Sequence, residues 1–593
     1  MRGRAERWRA ARTDPLLVGG IVLVALQTCV RAVLVMGSHY WQDDLFHLSL
    51  FQQTGASGDF LVRGYNGHLE IGPNLVYALI GRDPGLSFLP AALILMALQV
   101  TASCLLLAVL RQLFGRSPWM LVPFAVYLFT PLGLAVATWL ADGLEALPLQ
   151  IAMLMVLLGG IRAYRSRSWR WAVVSVAGTT TGLLFYEKAA LVLPALVAVL
   201  VLVEEAGTPW RRSLRKVADF WPFLLPHAVL IAAYLAFYQS VVVRPALAPD
   251  LGGVIPTTAE TLSTMLLPGL FGGPWTAAEA QGTFAGKPGT LGVVVAAVLA
   301  LGIVAVSIRL RGARAAKAWL LVAGYLAVDL ALVQLTRASI VDIVARDPRY
   351  ITDALPVISI GCCAAFSGPR RQPAVAHRWA AAPVALSALL VGSSLVSTSL
   401  VLDELQHQRA RDYVADVLRT MSANPDVSVI SNALPVDVFF TLSDAFDHDD
   451  VLRALGQERS FDRPGTLMGM FDADGVLRPI TLLEPIMAAS GPEPGCGWVL
   501  ADGEQQLGEV PIWFGEQVLR FTYASPVAIT LHLAVGEDRQ DLAVPPGSGR
   551  AFFVVTGQQG PVTLRASGAP AGAVCVDDAV VGTPWPEGLA GNS

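Results

Sequence analysis

The chain has 593 residues, 54% of them hydrophobic and 15% charged, with a formal net charge of -4 and a mean hydropathy of +0.55. Soluble domains carry about a quarter of their residues as charges, so this composition excludes a large soluble enzyme and points to a polytopic membrane protein. Arginines gather in short connections over the first two thirds, while Asp and Glu concentrate after about Leu402. No global basic patch exists, and nucleic acid is excluded as a partner.

Arg2, Arg4, Arg7, Arg9 and Arg12 precede an apolar run from Pro15 to Met36. The run is too long for a signal-peptide core and lacks a small-residue cleavage site, which predicts a retained first span. Further apolar stretches of spanning length lie at 86-110, 118-138, 144-161, 170-187, 189-203, 220-242, 290-308, 318-336, 351-367 and 379-401, about eleven spans in all. Basic residues recur in alternate connections: Arg111 and Arg116, Arg162 to Arg170, Arg211 to Lys216, Arg309 to Lys317, and Arg370 to Arg378. The positive-inside rule therefore sets the N-terminus in the cytoplasm. An odd number of spans then predicts that the chain after about Leu402 is extracytoplasmic.

The same alternation brings several polar segments to the outer face. Asp43 and Asp44 follow the first span, framed by His39, Trp41 and His47. Asp is a preferred helix cap, and Leu45 to Phe51 reads as a short interfacial helix, but two adjacent acids exceed what a cap needs. The pair is a candidate general base for an acceptor hydroxyl, or a candidate site for a divalent cation such as Mg, Mn or Ca. In the loop from Ser57 to Gly85, His68 and Glu70 precede Gly72-Pro73 and are candidates for orienting a sugar hydroxyl. Asp142 and Glu145 follow Trp139 in a short outer loop, an aromatic beside carboxylates that suits a sugar ring. Glu187 and Lys188 end one span, and Arg346, Arg349 and Tyr350 precede another. Cations at that depth are candidates for a lipid phosphate, with arginine the better bidentate partner.

Beyond the last span, Asp403 to Met421 reads as an amphipathic helix. Short alternating runs at Val427-Ile430, Val436-Thr441, Val518-Tyr523, Ala528-Ala534, Arg550-Val555 and Val562-Ala566 read as strands. The expected organisation is a membrane domain over 1-401, an extracytoplasmic α+β segment over 402-515, and a β-sandwich over 516-593. Cys496 and Cys575 are the two cysteines outside apolar runs, and pair as a disulfide if this region faces an oxidising compartment. No CxxC or HExxH spacing supports a zinc site.

With these residues in view, the layout resembles the GT-C superfamily of integral membrane glycosyltransferases. The resemblance rests on Asp43-Asp44 in the first outer loop, the segment Gly67-His68 to Pro73, Glu187-Lys188 at a span's outer end, and Arg349-Tyr350 leading into a late span. An outer C-terminal domain is similar to those of actinobacterial arabinofuranosyl- and mannosyltransferases of the cell envelope. The resemblance covers roughly residues 1-401. It implies a multi-pass enzyme of a bacterial plasma membrane that takes a sugar from a polyprenyl-phosphate donor and transfers it, with inversion, to an outer glycan or lipid. It also implies Asp43 as catalytic aspartate, with Asp44 assisting or binding metal. The chain departs from the pattern in having Asp rather than Glu as the second acid and no Asp-x-Asp in its membrane part. The C-terminal sandwich resembles carbohydrate-binding modules, for which Trp513, Phe514, Phe552 and Trp585 are candidate stacking surfaces, though core packing is the commoner use of such residues.

Two other classes compete. A transporter or flippase of lipid-linked saccharides calls for ionisable residues near mid-membrane and inverted repeats, neither of which the sequence reading finds. A non-catalytic membrane protein that binds envelope glycan needs only the scaffold and its outer domain.

Overall fold

The computed structural model describes residues 14–85, 87–242, 254–277, 287–336, 347–367, 381–436, 438–439, 446–457, 461–487, 491–500, 504–510, 516–558 and 560–588. The chain divides into two compact units, Met1–Gln408 and Arg409–Ser593.

The first unit is helical, and the protein is a multi-pass membrane protein. Among the described residues eight helices are long and apolar enough to cross a bilayer: Pro15–Met36, Leu89–Phe114, Leu140–Ser166, Trp221–Val241, Thr290–Arg311, Ala313–Gln334, Pro348–Phe366 and Ala381–Leu400. The other three predicted stretches are also helical but shorter or interrupted. Residues 118–138 break into Pro118–Met120, Leu121–Phe129, Pro131–Gly133 and Ala135–Thr138. The break follows from Pro131, which cannot donate a backbone hydrogen bond and forces Thr130 to an extended ψ of 135°. Trp169–Phe185 has 17 residues, and the stretch after it runs as Glu187–Leu191, Val192–Val199 and Leu200–Glu204, changing helix type twice.

Short elements join the first two spans: a helix Asp43–Thr54, a turn of helix Gly58–Val62, a hairpin Gly64–Tyr65/His68–Leu69, and a helix Ile71–Ile80. Asn66 and Gly67 have φ of 48° and 84°, the two positive values that a two-residue hairpin turn demands. The helix predicted over Asp403 to Met421 is two helices, Leu402–Leu405 and Gln408–Ala423, parted where His407 takes a φ of 51°.

The second unit is β-rich. One sheet runs Asp538–Val544, Ile529–Val535, Gly560–Ser567, Gln505–Val510. The other runs Gly547–Val554, Val518–Ser525, Val574–Pro586, Leu477–Met487, Met468–Phe471, Ser428–Val429, with Trp498–Leu500 also paired to Val574–Pro586. Strands from before and after residue 515 thus share one sheet. Alternating side chains fill a core that includes Leu531, Leu564, Phe521 and Phe553. Cys496 and Cys575 form a disulfide. Phe552 is buried, Trp585 is 39% exposed, and Trp513 and Phe514 lie outside the described residues. The run Val436-Thr441 is not a strand where described: Val436 and Val438 lie in a turn, and Asp437, Phe440 and Thr441 lie outside the described residues.

Candidate active site

Asp43 and Asp44 open the helix Asp43–Thr54 and have different surroundings. Asp44 is fully buried. Its Oδ1 accepts from the Tyr77 hydroxyl at 2.7 Å and from the Ala141 N–H at 2.8 Å, and its Oδ2 accepts from the Trp41 N–H at 3.1 Å. Ala141 stands in the first turn of Leu140–Ser166, whose N–H groups have no partner within the helix, so Asp44 satisfies one of them. Gly143 lets the same turn pack closely on Leu95, since a Cβ there would stand 2.2 Å from that side chain. Burial nonetheless pushes the Asp44 carboxyl up to about 7, against those three hydrogen bonds.

Asp43 is half-buried. The Tyr65 hydroxyl donates to its Oδ1 at 2.9 Å, the one side-chain hydrogen bond it receives among the described residues. Burial raises its carboxyl above the usual range, while the charges of Arg349 and His47 and the Tyr65 bond hold it down. Gln42, just before the pair, has a φ of 42°, a conformation that costs about 1–3 kcal/mol in a residue other than glycine and that sets the entry of both acids.

The hairpin delivers Tyr65 to Asp43 and His68 to a second contact, its Nδ1 lying 2.7 Å from Glu187 Oε1. Next to it, His47 Nε2 lies 3.1 Å from Glu70 Oε2, both buried. Burial alone would lower the His47 imidazole, but Glu70 outweighs it and raises the group. Burial likewise opposes charge on Glu70, and His47 overcomes it, holding the carboxyl below its ordinary value. The Glu145 carboxyl stands within electrostatic range of Glu70. The Asp142–Glu145 segment, expected as a loop, lies in the first two turns of Leu140–Ser166, because Trp139 supplies the extended residue that starts the helix at Leu140, four positions before the predicted span.

Arg349 ties this region together. Its Nη1 donates to Asp142 Oδ1 at 3.1 Å, its Nε lies 2.7 Å from Asp347 Oδ2, and its Nη2 donates to the Tyr350 hydroxyl at 3.1 Å. The guanidinium also sits 5.1 Å from the centre of the Trp139 ring. Nη1 and Nη2 are thus hydrogen-bonded within the protein, and Nε is paired by charge with Asp347. Lys188 is engaged more completely: Nζ meets Asp329 Oδ1 at 2.7 Å, Asp353 Oδ1 at 3.2 Å and the Tyr350 carbonyl at 3.0 Å, and its side chain is 8% exposed. Tyr325 donates to the other oxygen of Asp353 at 2.9 Å.

Asp43, Asp44, His68, Glu70, Asp142, Glu187, Arg349 and Tyr350 are therefore linked through contacts in one region. Lys188 adjoins it through the Tyr350 carbonyl without presenting its ammonium, and Arg346 lies outside the described residues. Sequence reasoning missed Tyr77, Asp347, Asp329, Asp353 and Tyr325 as partners. Asp329 within an apolar span was the available signal, since a carboxylate there is costly and rarely incidental. Asp329 stands five residues before the end of Ala313–Gln334, away from its middle. Among the described residues no three His, Cys, Asp or Glu side chains are placed to hold a metal ion. Asp44 offers both oxygens to N–H and O–H donors, which leaves it unsuited to ligate a cation.

No family model matches the sequence, and no curated protein matches it. Among solved structures the chain is similar to ArnT from Cupriavidus metallidurans in the apo state, at 13% identity and a TM-score of 0.42, covering 76% of this chain and 93% of that one. The same protein bound to undecaprenyl phosphate gives 13% identity and a TM-score of 0.41, covering 76% and 92%. Arabinosyltransferase EmbB from Mycobacterium smegmatis gives 11% and 0.29, covering 95% of this chain and 64% of that one. Likeness this slight leaves the chemistry to this chain's own residues.

Proposed function

We propose that the chain is a GT-C-type membrane glycosyltransferase that moves a sugar from a polyprenyl-phosphate donor to a hydroxyl of a cell-envelope glycan or lipid at the outer face of a bacterial plasma membrane. The carrying observation is the asymmetry of the acidic pair: Asp44 is fully buried and hydrogen-bonded on both oxygens, while Asp43 is half-buried with a single side-chain hydrogen bond, from Tyr65. Asp43 is the base and Asp44 its support.

The proton of the acceptor hydroxyl passes to Asp43, the acceptor oxygen bonds to the anomeric carbon, and the bond from that carbon to the phosphate oxygen breaks, inverting the centre. The leaving phosphate monoester departs as an anion without needing a proton. The protein's share is deprotonation and in-line orientation. Arg349, engaged by Asp142 and Asp347, acts by favouring ionised Asp43 rather than by gripping phosphate. His68–Glu187 and Glu145 line the same region as orienting groups for sugar hydroxyls. The multi-pass fold supports the bilayer as the site of action, and the arginine-rich alternate loops support a cytoplasmic N-terminus.

The test is Asp43→Asn beside Asp44→Asn in the purified, reconstituted protein with polyprenyl-phosphate sugars. Asp43→Asn is expected to lower transfer by about 100- to 10,000-fold at unchanged thermal stability, the usual contribution of a general base. Full transfer by Asp43→Asn ends the assignment. Binding of such lipids without transfer by the wild type favours a binding protein.

A further inference from the structure

Arg31 lies within the first span, Pro15–Met36, and is 4% exposed. It stands five residues before the helix end, about 7–8 Å along the axis at 1.5 Å per residue. One turn earlier, buried Gln27 is fully partnered: its amide donates to the Leu128 carbonyl at 3.0 Å and its oxygen accepts from Ser103 at 2.7 Å. Arg31 has nothing comparable. Among the described residues it makes no hydrogen bond and no ion pair, and its Nη1 is wholly buried.

A guanidinium cannot shed its charge in a protein, and a buried, uncompensated charge is among the costliest features a fold can carry. Its titratable neighbour is Tyr127, whose hydroxyl is turned away to donate to Gln150 at 2.7 Å. The space before Nη2 is bordered by Gly133, where a Cβ would stand 3.7 Å from that nitrogen. A buried planar fork that meets no carboxylate among the described residues and faces a residue lacking a side chain has the form of an anion site.

We infer that Arg31 and Gly133 form a binding site for the phosphate of a lipid headgroup, a monoester or diester entering from the adjacent leaflet. Lys188 and Arg349, the cations expected for that task, are consumed by protein carboxylates. The site concerns binding alone and does not depend on sugar transfer. The phosphate comes either from a polyprenyl phosphate or from an ordinary anionic phospholipid, and one experiment separates these sources.

Full-length protein, delipidated in detergent, is titrated with polyprenyl phosphate, with phosphatidylglycerol, and with neutral polyprenol, reading the thermal midpoint. The site predicts stabilisation by at least one phosphate lipid and none by polyprenol. A response to polyprenyl phosphate alone identifies the carrier as the source, and an equal response to phosphatidylglycerol identifies the bilayer. Arg31→Gln is expected to weaken that response by about tenfold or more while leaving the lipid-free protein at least as stable as wild type, because the change removes an unpaired buried charge. Gly133→Val keeps Arg31 and fills the approach, and is expected to weaken the response similarly. It carries the test should Arg31→Gln not accumulate. An equal response to polyprenol, unchanged midpoints in both variants, or a lipid-free Arg31→Gln protein clearly less stable than wild type overturns the inference.

Discussion

Around Lys188 an ammonium meets two carboxylates and a carbonyl at 2.7 to 3.2 Å and is sealed from solvent. Around Asp43 a half-buried carboxylate receives one side-chain hydrogen bond, and its counter-charges, Arg349 and His47, are each bound to another acid. Both clusters join distant parts of the chain: Lys188 links the end of one span to residues 141 and 165 positions away, and Arg349 links to Asp142 across 207. The difference lies in completion. A closed ion cluster fixes geometry, whereas an incompletely paired group keeps capacity for a substrate.

The sharpest way to break this contrast is to remove the central group of each cluster. Lys188→Met leaves Asp329 and Asp353 buried without their cation and is expected to cost about 3–5 kcal/mol of stability, read by unfolding in detergent mixtures. Asp43→Asn is expected to leave stability within about 0.5 kcal/mol. Equal destabilisation by the two changes would mean that the Asp43 region is structural as well.

Asp44→Asn comes next. The amide keeps one acceptor oxygen for Tyr77 and Ala141 but turns an N–H₂ toward the Trp41 N–H, at a cost of about 1–3 kcal/mol. Its pH behaviour carries more information than its size. With the Asp44 carboxyl pushed up to about 7 from an ordinary 3.8, the folded protein binds more protons than the unfolded chain between those values, so this group's contribution to stability falls as pH rises through that window. The variant should flatten that part of a profile of melting temperature against pH. An unaltered slope would place the proton elsewhere.

The sequence exposed the multi-pass class through hydropathy, and the importance of Asp43-Asp44 through the cost of two adjacent acids at a span's end. It did not separate the two, because that depends on Tyr77, the Trp41 N–H and the Ala141 N–H, groups 3 to 97 positions from Asp44 that are assembled only by packing. Lys188 and Arg349 looked like phosphate ligands because most of their partners are distant in one dimension, although Asp347, two positions before Arg349, was in view. Their partners, Asp329 and Asp142, sit in other helices. Arg31 passed unnoticed for the converse reason, since an arginine in an apolar run reads as a snorkelling side chain until its burial is known. Two interruptions were marked but not read: 118–138 is taken as one span despite Pro131, and no hairpin is predicted at Asn66-Gly67, although both carry the signal.

The smallest expected effect concerns the His47–Glu70 pair, which belongs to the open cluster and tests whether its charge reaches Asp43. Glu70 raises the His47 imidazole above 6.5 and is itself held below 4.5. The histidine part of the pair's stabilisation is thus fully present below 6.5 and lost as pH rises through the raised imidazole value. The glutamate part is present above 4.5 and lost as pH falls through the lowered carboxyl value. Glu70→Gln should therefore lower the melting temperature more at pH 5.5 than at pH 8. Without Glu70, His47 sheds its proton earlier, so Asp43 loses a charge that favours its ionised form together with Glu70, a weaker one that opposes it. The acid limb of the transfer-rate profile should then move to higher pH with the alkaline plateau kept. A plateau loss without movement of that limb would instead make Glu70 a direct substrate contact, and would separate the histidine pair from the base.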